Sequence, residues 1–559
     1  MQTPIKAPLS WKQTAVVISL LVAAGTIYLY KDPLHRRRRF LQRLWFLICK
    51  RDLKEAELER ELLDEPEPDI IAKHTQFVEL NNHRLRIVHI IHEYSKVPLI
   101  VFIHGLGGQV SQWESQIEYF SQTAHVLAID LLGCGQSQLT KDWGSYTTES
   151  LVRDVTCLLT ERYQYPLTVI VAHSYGCSIA THVAASPLIQ PNLKGLVLIA
   201  PKEHMEEAQE KSQRTLRWIP DWLFECARIA DRKGGLYSKS VNRFLGLDAD
   251  DKLRRKQLRW NLMSRTPVYK RFVYGASFPP REMYKSIKVG VLLISGSEDK
   301  VTPPNDVNVI RNHLLDLPPN ETNWKDVPHT ESIRVPEPYV IPEVGHMPMV
   351  VHPELVNPVI SDFLIKNCGL HTLSGAWQAL NRTKGENKWD LKNYAKWTRT
   401  APITDGPIGP SLFRAMKVMR QTDPQHCPSG FLARYPEIGF IIDISNDTPP
   451  YRASDFENSR VEYIKLRTVS KIPPRREDVQ KFIEVAEQCW QRRPDAQIAV
   501  HCHYGFNRTG FFICCYMIEK LGVSVPDALK YFAEARPPGI RHSHFVDELY
   551  LRYVLPQRL

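Results

Sequence analysis

Residues 169–178 read VIVAHSYGCS, an apolar run that breaks at a serine set between two small residues, Ala172 and Gly176. The pattern small-x-Ser-x-small fits a tight turn from strand to helix, in which a larger side chain at either flank would strike neighbouring strands. Such a turn lifts the hydroxyl of Ser174 clear of a sheet. The first small residue is Ala172 rather than glycine, and a serine that only caps the following helix is the alternative.

Outward from this stretch, similar runs recur: PLIVFIHG (98–105), AHVLAIDLLG (124–133), LKGLVLIAP (193–201) and VGVLLISG (289–296). They are short, nearly continuous in Val, Ile and Leu, and separated by helical patterns. That predicts a parallel sheet covered on both faces, with its chemistry in the loops where the strands end. One such loop, FIHGLGG, offers the backbone N–H of Leu106 to an oxyanion, and the N–H of Tyr175 follows Ser174 directly. Later loops carry Asp299 (LLISGSEDKVTPP) and His346 (VGHMPMVVHPE), so the order is Ser, Asp, His.

With these residues, about 70–368 resembles the α/β-hydrolase superfamily. The resemblance implies Ser174 as nucleophile, His346 as general base and Asp299 as the group that orients it. Glu298 is the nearest competitor for the acid and His352 for the base. Serine at the elbow points away from carboxylate-nucleophile relatives such as epoxide hydrolases, and toward an ester or lipid-like acyl substrate. An H-x-x-x-x-D acyltransferase signature is absent after His346. Residues 201–285 or so, with Trp218, Trp222 and Trp260, read as a helical lid. The alternative for this half is a catalytically idle scaffold that binds a lipid or protein.

A second apolar strand ends in AVHCHYGFNRTGFF (499–512). Here Cys502 and Arg508 stand in a C-x5-R loop between strand and helix. Such a loop wraps a tetrahedral anion with its backbone N–H groups, and the following helix adds its positive end. Arg508 grips phosphate oxygens in a planar fork, and the same field lowers the thiol pKa of Cys502. Gly505 lets the loop bend, Thr509 hydrogen-bonds the sulfur, and His501 orients the loop from behind. The expected phosphate cradle is His503, Tyr504, Gly505, Phe506, Asn507 and Arg508. IGFIIDIS and VEYIKLR give two more strands upstream.

These residues, with FAEARPPGI (532–540), resemble the cysteine-dependent dual-specificity phosphatases, most closely the RNA 5′-triphosphatase domain of metazoan-type mRNA capping enzymes. His503 and Tyr504 depart from that family's threonine and histidine. The resemblance implies a phosphorylated protein or triphosphate-ended RNA as partner. The loop RTVSKIPPRRED (467–478) has no acid before its prolines, where protein phosphatases carry a general acid. Asp443 and Asp478 are the remaining candidates. An absent acid favours a phosphoanhydride, whose leaving group needs little protonation. Arg536, Arg541, His542 and His544 are expected at the rim.

A chain of 559 residues implies at least two domains, and a net charge of +11 favours acidic partners. The eleven cysteines lack zinc spacing and read mostly as free thiols; no metal or cofactor is expected. Residues 14–30 (TAVVISLLVAAGTIYLY), followed by KDPLHRRRRF, predict a single transmembrane helix with the catalytic domains facing the cytoplasm. The expected plan is a membrane anchor and basic segment (1–50), a charged linker (51–69), an α/β-hydrolase domain (70–368) and a phosphatase α/β domain (372–559).

Overall fold

The computed structural model describes residues 53–555 apart from 247–248, 323, 325–326, 376, 379–395 and 447. The first sheet has eight strands in the order β1-β2-β4-β3-β5-β6-β7-β8. These are β1 (Thr75–Leu80), β2 (His83–Ile90), β3 (Leu99–Ile103), β4 (His125–Ile129), β5 (Thr168–His173), β6 (Leu193–Ile199), β7 (Gly290–Gly296) and β8 (Tyr339–Ile341). β1 and β2 pair antiparallel, β2 joins β4 antiparallel, and the rest run parallel.

Alternation along β3 builds both layers of the core. Leu99, Val101 and Ile103 enter one buried cluster, while Ile100 and Phe102 enter the other. Successive strand side chains point to opposite faces, so a strand covered on both sides must be apolar throughout. The segment between β6 and β7 is helical, including Asp221–Arg232, Asp251–Met263 and Thr266–Gly275. The helix Leu53–Asp64, in the stretch expected as a linker, lies on this lid: Glu61 and Glu65 pair with Arg255, and Leu62 is buried in the core.

The second sheet is β11-β10-β12-β9, parallel throughout: β9 (Phe413–Met416), β10 (Ile438–Asp443), β11 (Glu462–Lys465) and β12 (Gln497–His501). Ile498, Val500 and Cys502 face one cluster and Ala499 the other, the same alternation on a smaller scale. The two halves meet along the helices Pro353–Lys366 and Ser543–Tyr553. Tyr119 donates to Asp547 Oδ2 across this contact at 2.7 Å. Leu370, Leu373 and Leu555 pack into the core of the first half.

One part of the sequence reading is corrected. The transmembrane helix expected over residues 14–30 lies outside the described residues, and among the described residues no helix is long and apolar enough to cross a membrane. The fold is therefore given without a membrane span, and the single-pass, cytoplasm-facing location is withdrawn. No disulfide joins the cysteines among the described residues.

Candidate active sites

Ser174 follows β5 with φ 54° and ψ −128°, a conformation costly for a residue with a side chain, and the helix Tyr175–Ala185 begins at once. The small neighbours are required. A side-chain carbon on Gly176 would lie 2.5 Å from the carbonyl oxygen of His104, and one on Gly105 would lie 2.8 Å from Cβ of Ser174. Ala172, by contrast, is buried without displacing the turn.

The Ser174 hydroxyl is 2.9 Å from His346 Nε2, and His346 Nδ1 is 2.8 Å from Asp299 Oδ2. Asp299 also accepts from the backbone N–H groups of Val301 (2.7 Å) and Thr302 (2.9 Å) and from the Thr302 hydroxyl (2.7 Å). Burial works to raise the Asp299 pKa, but the bonds from His346 and Thr302 outweigh it and hold the carboxyl below its usual range. With Asp299 ionised, the histidine is fixed with a proton on Nδ1 and Nε2 free to accept one from serine. Glu298 is exposed and His352 pairs with Glu354, so neither sequence competitor joins this group. Thr302 was missed by sequence reading; the only signal is its place three residues after the aspartate, where a side chain closes a carboxylate-capped turn.

Leu106 and Tyr175 line the same cavity of about 550 Å³ as Ser174 and His346. Lid residues close it, among them Phe224 and Trp260. Of the three lid tryptophans only Trp260 lines the cavity; Trp218 is 84% exposed and Trp222 51%. Trp260 is anchored by an N–H bond to the Ser111 hydroxyl at 2.9 Å.

The second site forms where β12 runs into the helix Asn507–Leu521. Cys502 and Arg508 are both buried there. Arg508 donates to the backbone carbonyls of Ile444 (3.1 Å) and Thr468 (2.9 Å), which fixes the guanidinium behind the loop. Burial opposes ionisation of Cys502, but the Arg508 charge, the Thr509 hydroxyl and the backbone N–H groups of Gly505 and Thr509 outweigh it, and the thiol pKa falls. The Thr509 hydroxyl is buried with no other partner within ordinary hydrogen-bond reach among the described residues. Gly505 has φ +74°, and a side-chain carbon there would lie 2.2 Å from the Met416 carbonyl oxygen.

His501 backs the loop: Nδ1 lies 3.1 Å from the Cys502 carbonyl and Nε2 2.7 Å from the Tyr451 hydroxyl. The His503 and Tyr504 rings stack at 4.2 Å. The Asn507 side-chain oxygen accepts from the N–H groups of Arg541 (2.7 Å) and His542 (3.1 Å), so this residue ties the RPPGI segment to the loop. Arg541 lies 3.6 Å above the Phe506 ring. Arg536 is not at the rim: it is 2% exposed and donates to the Tyr504 carbonyl at 3.0 Å.

Both candidate acids are engaged by other groups. Burial would raise the Asp443 pKa, but the nearby His501, then Lys465 (2.7 Å) and Ser445 (2.6 Å) on the carboxylate, lower it. Tyr463 donates to the same group at 2.7 Å. Asp478 accepts from the Arg475 N–H at 3.1 Å as a helix cap.

A family model for the alpha/beta hydrolase fold matches residues 98–353, and one for the dual specificity phosphatase catalytic domain matches 426–553. The chain joins an alpha/beta hydrolase to a dual-specificity phosphatase. The hydrolase half is 28% identical, over 296 residues, to an abhydrolase domain-containing protein of Schizosaccharomyces pombe, covering 50% of this chain and 74% of that one. The phosphatase half is 39% identical over 118 residues to the mRNA-capping enzyme of Danio rerio, covering 21% of this chain and 20% of that one. It is also 32% identical over 114 residues to a tyrosine-protein phosphatase of Autographa californica nuclear polyhedrosis virus, covering 20% of this chain and 68% of the relative. The chain thus spans about one fifth of the capping enzyme's length.

Proposed function

We propose that the chain is a bifunctional hydrolase with two separate covalent mechanisms. In the first half, Ser174 attacks an ester carbonyl while His346 Nε2 takes its proton. The N–H groups of Leu106 and Tyr175 hold the oxyanion, and His346 returns the proton to the leaving alcohol. Water then repeats the sequence on the acyl-enzyme. The unbroken chain of bonds from Ser174 through His346 to Asp299 carries this reading over an idle scaffold. Labelling by a fluorophosphonate tests it: wild type should label, and Ser174→Ala should not.

In the second half, the Cys502 thiolate attacks phosphorus, displaces the leaving group and forms a phosphocysteine that water hydrolyses. Arg508 and the loop N–H groups hold the phosphoryl oxygens, and Thr509 steadies the sulfur as it leaves. Between phosphoprotein and triphosphate-ended RNA, the engagement of Asp443 by Lys465, Ser445 and Tyr463 favours the anhydride, since no proton donor is then needed. The test compares triphosphate-ended RNA with a phosphotyrosine peptide at equal enzyme. Faster release of phosphate from RNA is expected, and a faster peptide reaction would reverse the assignment.

A further inference from the structure

The cavity above Ser174 is not electrically balanced. Lys202, Arg228, Arg232 and Arg243 line it, and Asp231 is the one carboxylate on the wall among the described residues. Two of these cations have carboxylate partners. Arg243 pairs with Asp231 at 2.7 Å, and Arg232 pairs with Glu225 at 2.9 Å.

Arg228 differs. Its guanidinium donates to the Ser264 carbonyl (2.7 Å), the Thr266 hydroxyl (2.7 Å) and the Asn261 carbonyl (3.1 Å), all neutral acceptors. These bonds set it in the roof over the loop that carries Leu106. The Ser264 hydroxyl is 2.7 Å from the point where a side-chain carbon would stand on Gly107, and the Tyr269 ring is 3.3 Å from the same point. Arg228 in turn lies 5.4 Å from the centroid of that ring. Burial, aided by the Arg232 charge, pushes the Arg228 pKa below its ordinary value against the opposing charges of Glu225 and Asp231. Those two carboxylates are the ones that pair with Arg232 and Arg243, so Arg228, bonded directly only to dipoles, still gains from a closer anion.

We propose that the substrate supplies one: the ester attacked by Ser174 carries an anionic group, a carboxylate or phosphate, that pairs with Arg228 in the lid, with Lys202 as a second cation on the wall. The proposal rests on the serine-hydrolase reading above. It makes the lid a charge filter as well as a cover, since a neutral ester of the same shape would leave the guanidinium unpaired.

The test uses the full chain carrying Cys502→Ser, so that the phosphatase site cannot consume a phosphate probe. Turnover of p-nitrophenyl valerate is compared with mono-p-nitrophenyl glutarate, and p-tolyl valerate with its 4-carboxyphenyl and 4-phosphonooxyphenyl counterparts. At least one anionic ester should exceed its neutral partner in kcat/KM by about tenfold or more, the effect of one hydrogen bond to a charged group. The carboxylate and phosphate arms tell which anion is preferred. Arg228→Gln, which removes the charge and keeps an amide donor, should bring that ratio toward one; Arg228→Lys should restore part of it, and Lys202→Met should lower it less. Equal rates on all members, or a preference untouched by Arg228→Gln, would overturn the proposal while leaving the serine mechanism standing. No turnover of any ester together with no fluorophosphonate labelling would instead defeat the serine mechanism itself.

Discussion

Ser174 and Cys502 both sit at the end of a buried parallel strand and just before a helix, yet what surrounds them is opposite in kind. The serine is neutral, held in a strained turn, and depends on a base assembled from two distant loops. The cysteine is served by its own loop, whose guanidinium, amides and hydroxyl lower the thiol pKa and so favour the charged sulfur before any substrate arrives. A hydroxyl is so weak an acid that no static field brings it to neutrality, so it needs a partner to take its proton during reaction. A thiol starts close enough to pH 7 that a fixed field suffices. On the proposed mechanisms the chain therefore carries one nucleophile made at the moment of use and one kept ready.

Removing the nucleophiles gives the largest effects. Ser174→Ala should lower ester kcat by about 10⁶ and leave phosphate release intact, while Cys502→Ser should do the reverse. Crossed effects in an assay of both activities would break the separation of the sites. Next, Asp299→Asn should cost about 10⁴ in ester turnover, because the neutral amide no longer fixes the histidine tautomer. No equivalent exists in the second site: Asp443→Asn should leave the alkaline side of its pH–rate profile in place, since this carboxylate is already held in its ionised form and bound. Loss of that side would identify Asp443 as an acid after all.

A smaller effect sharpens the contrast. Thr509→Val should raise the Cys502 pKa toward that of an ordinary thiol, read as an upward move in the pH midpoint of iodoacetamide alkylation. The smallest expected effect lies between the halves. Asp547, buried against Tyr119, has its pKa raised to about 7 by burial, so the folded contact binds a proton more tightly than the unfolded chain does. Its stabilising contribution is then full below the ordinary aspartate range and is lost as pH rises through about 7. Thermal unfolding followed from pH 4 to 8 should show this slope, and Asp547→Asn should flatten it.

The strands that carry the chemistry were legible because burial on both faces leaves no room for polar residues, and β3 to β7 are written as nearly pure apolar runs. The hairpin β1–β2 was not, since TQFVEL and HRLRIVHI mix exposed and buried positions. β8 and β9 were too short to stand out. Ser174, Asp299 and His346 stood out as motifs at strand ends whose roles the α/β-hydrolase resemblance implied, whereas Thr302 depends on a turn that only coordinates reveal. Arg536 misled for a similar reason: an arginine among prolines reads as surface, yet it is folded under the loop behind Tyr504.

The contact between the halves bears on how the protein can be handled. Leu370 and Leu373 belong to the hydrophobic interior of the first half, and half-buried Leu555 packs against it, although all three lie at or beyond the seam in sequence. Truncation at the seam would strip away that greasy covering and leave an adhesive patch on the remaining fragment, so a shortened version should precipitate more readily than the intact chain.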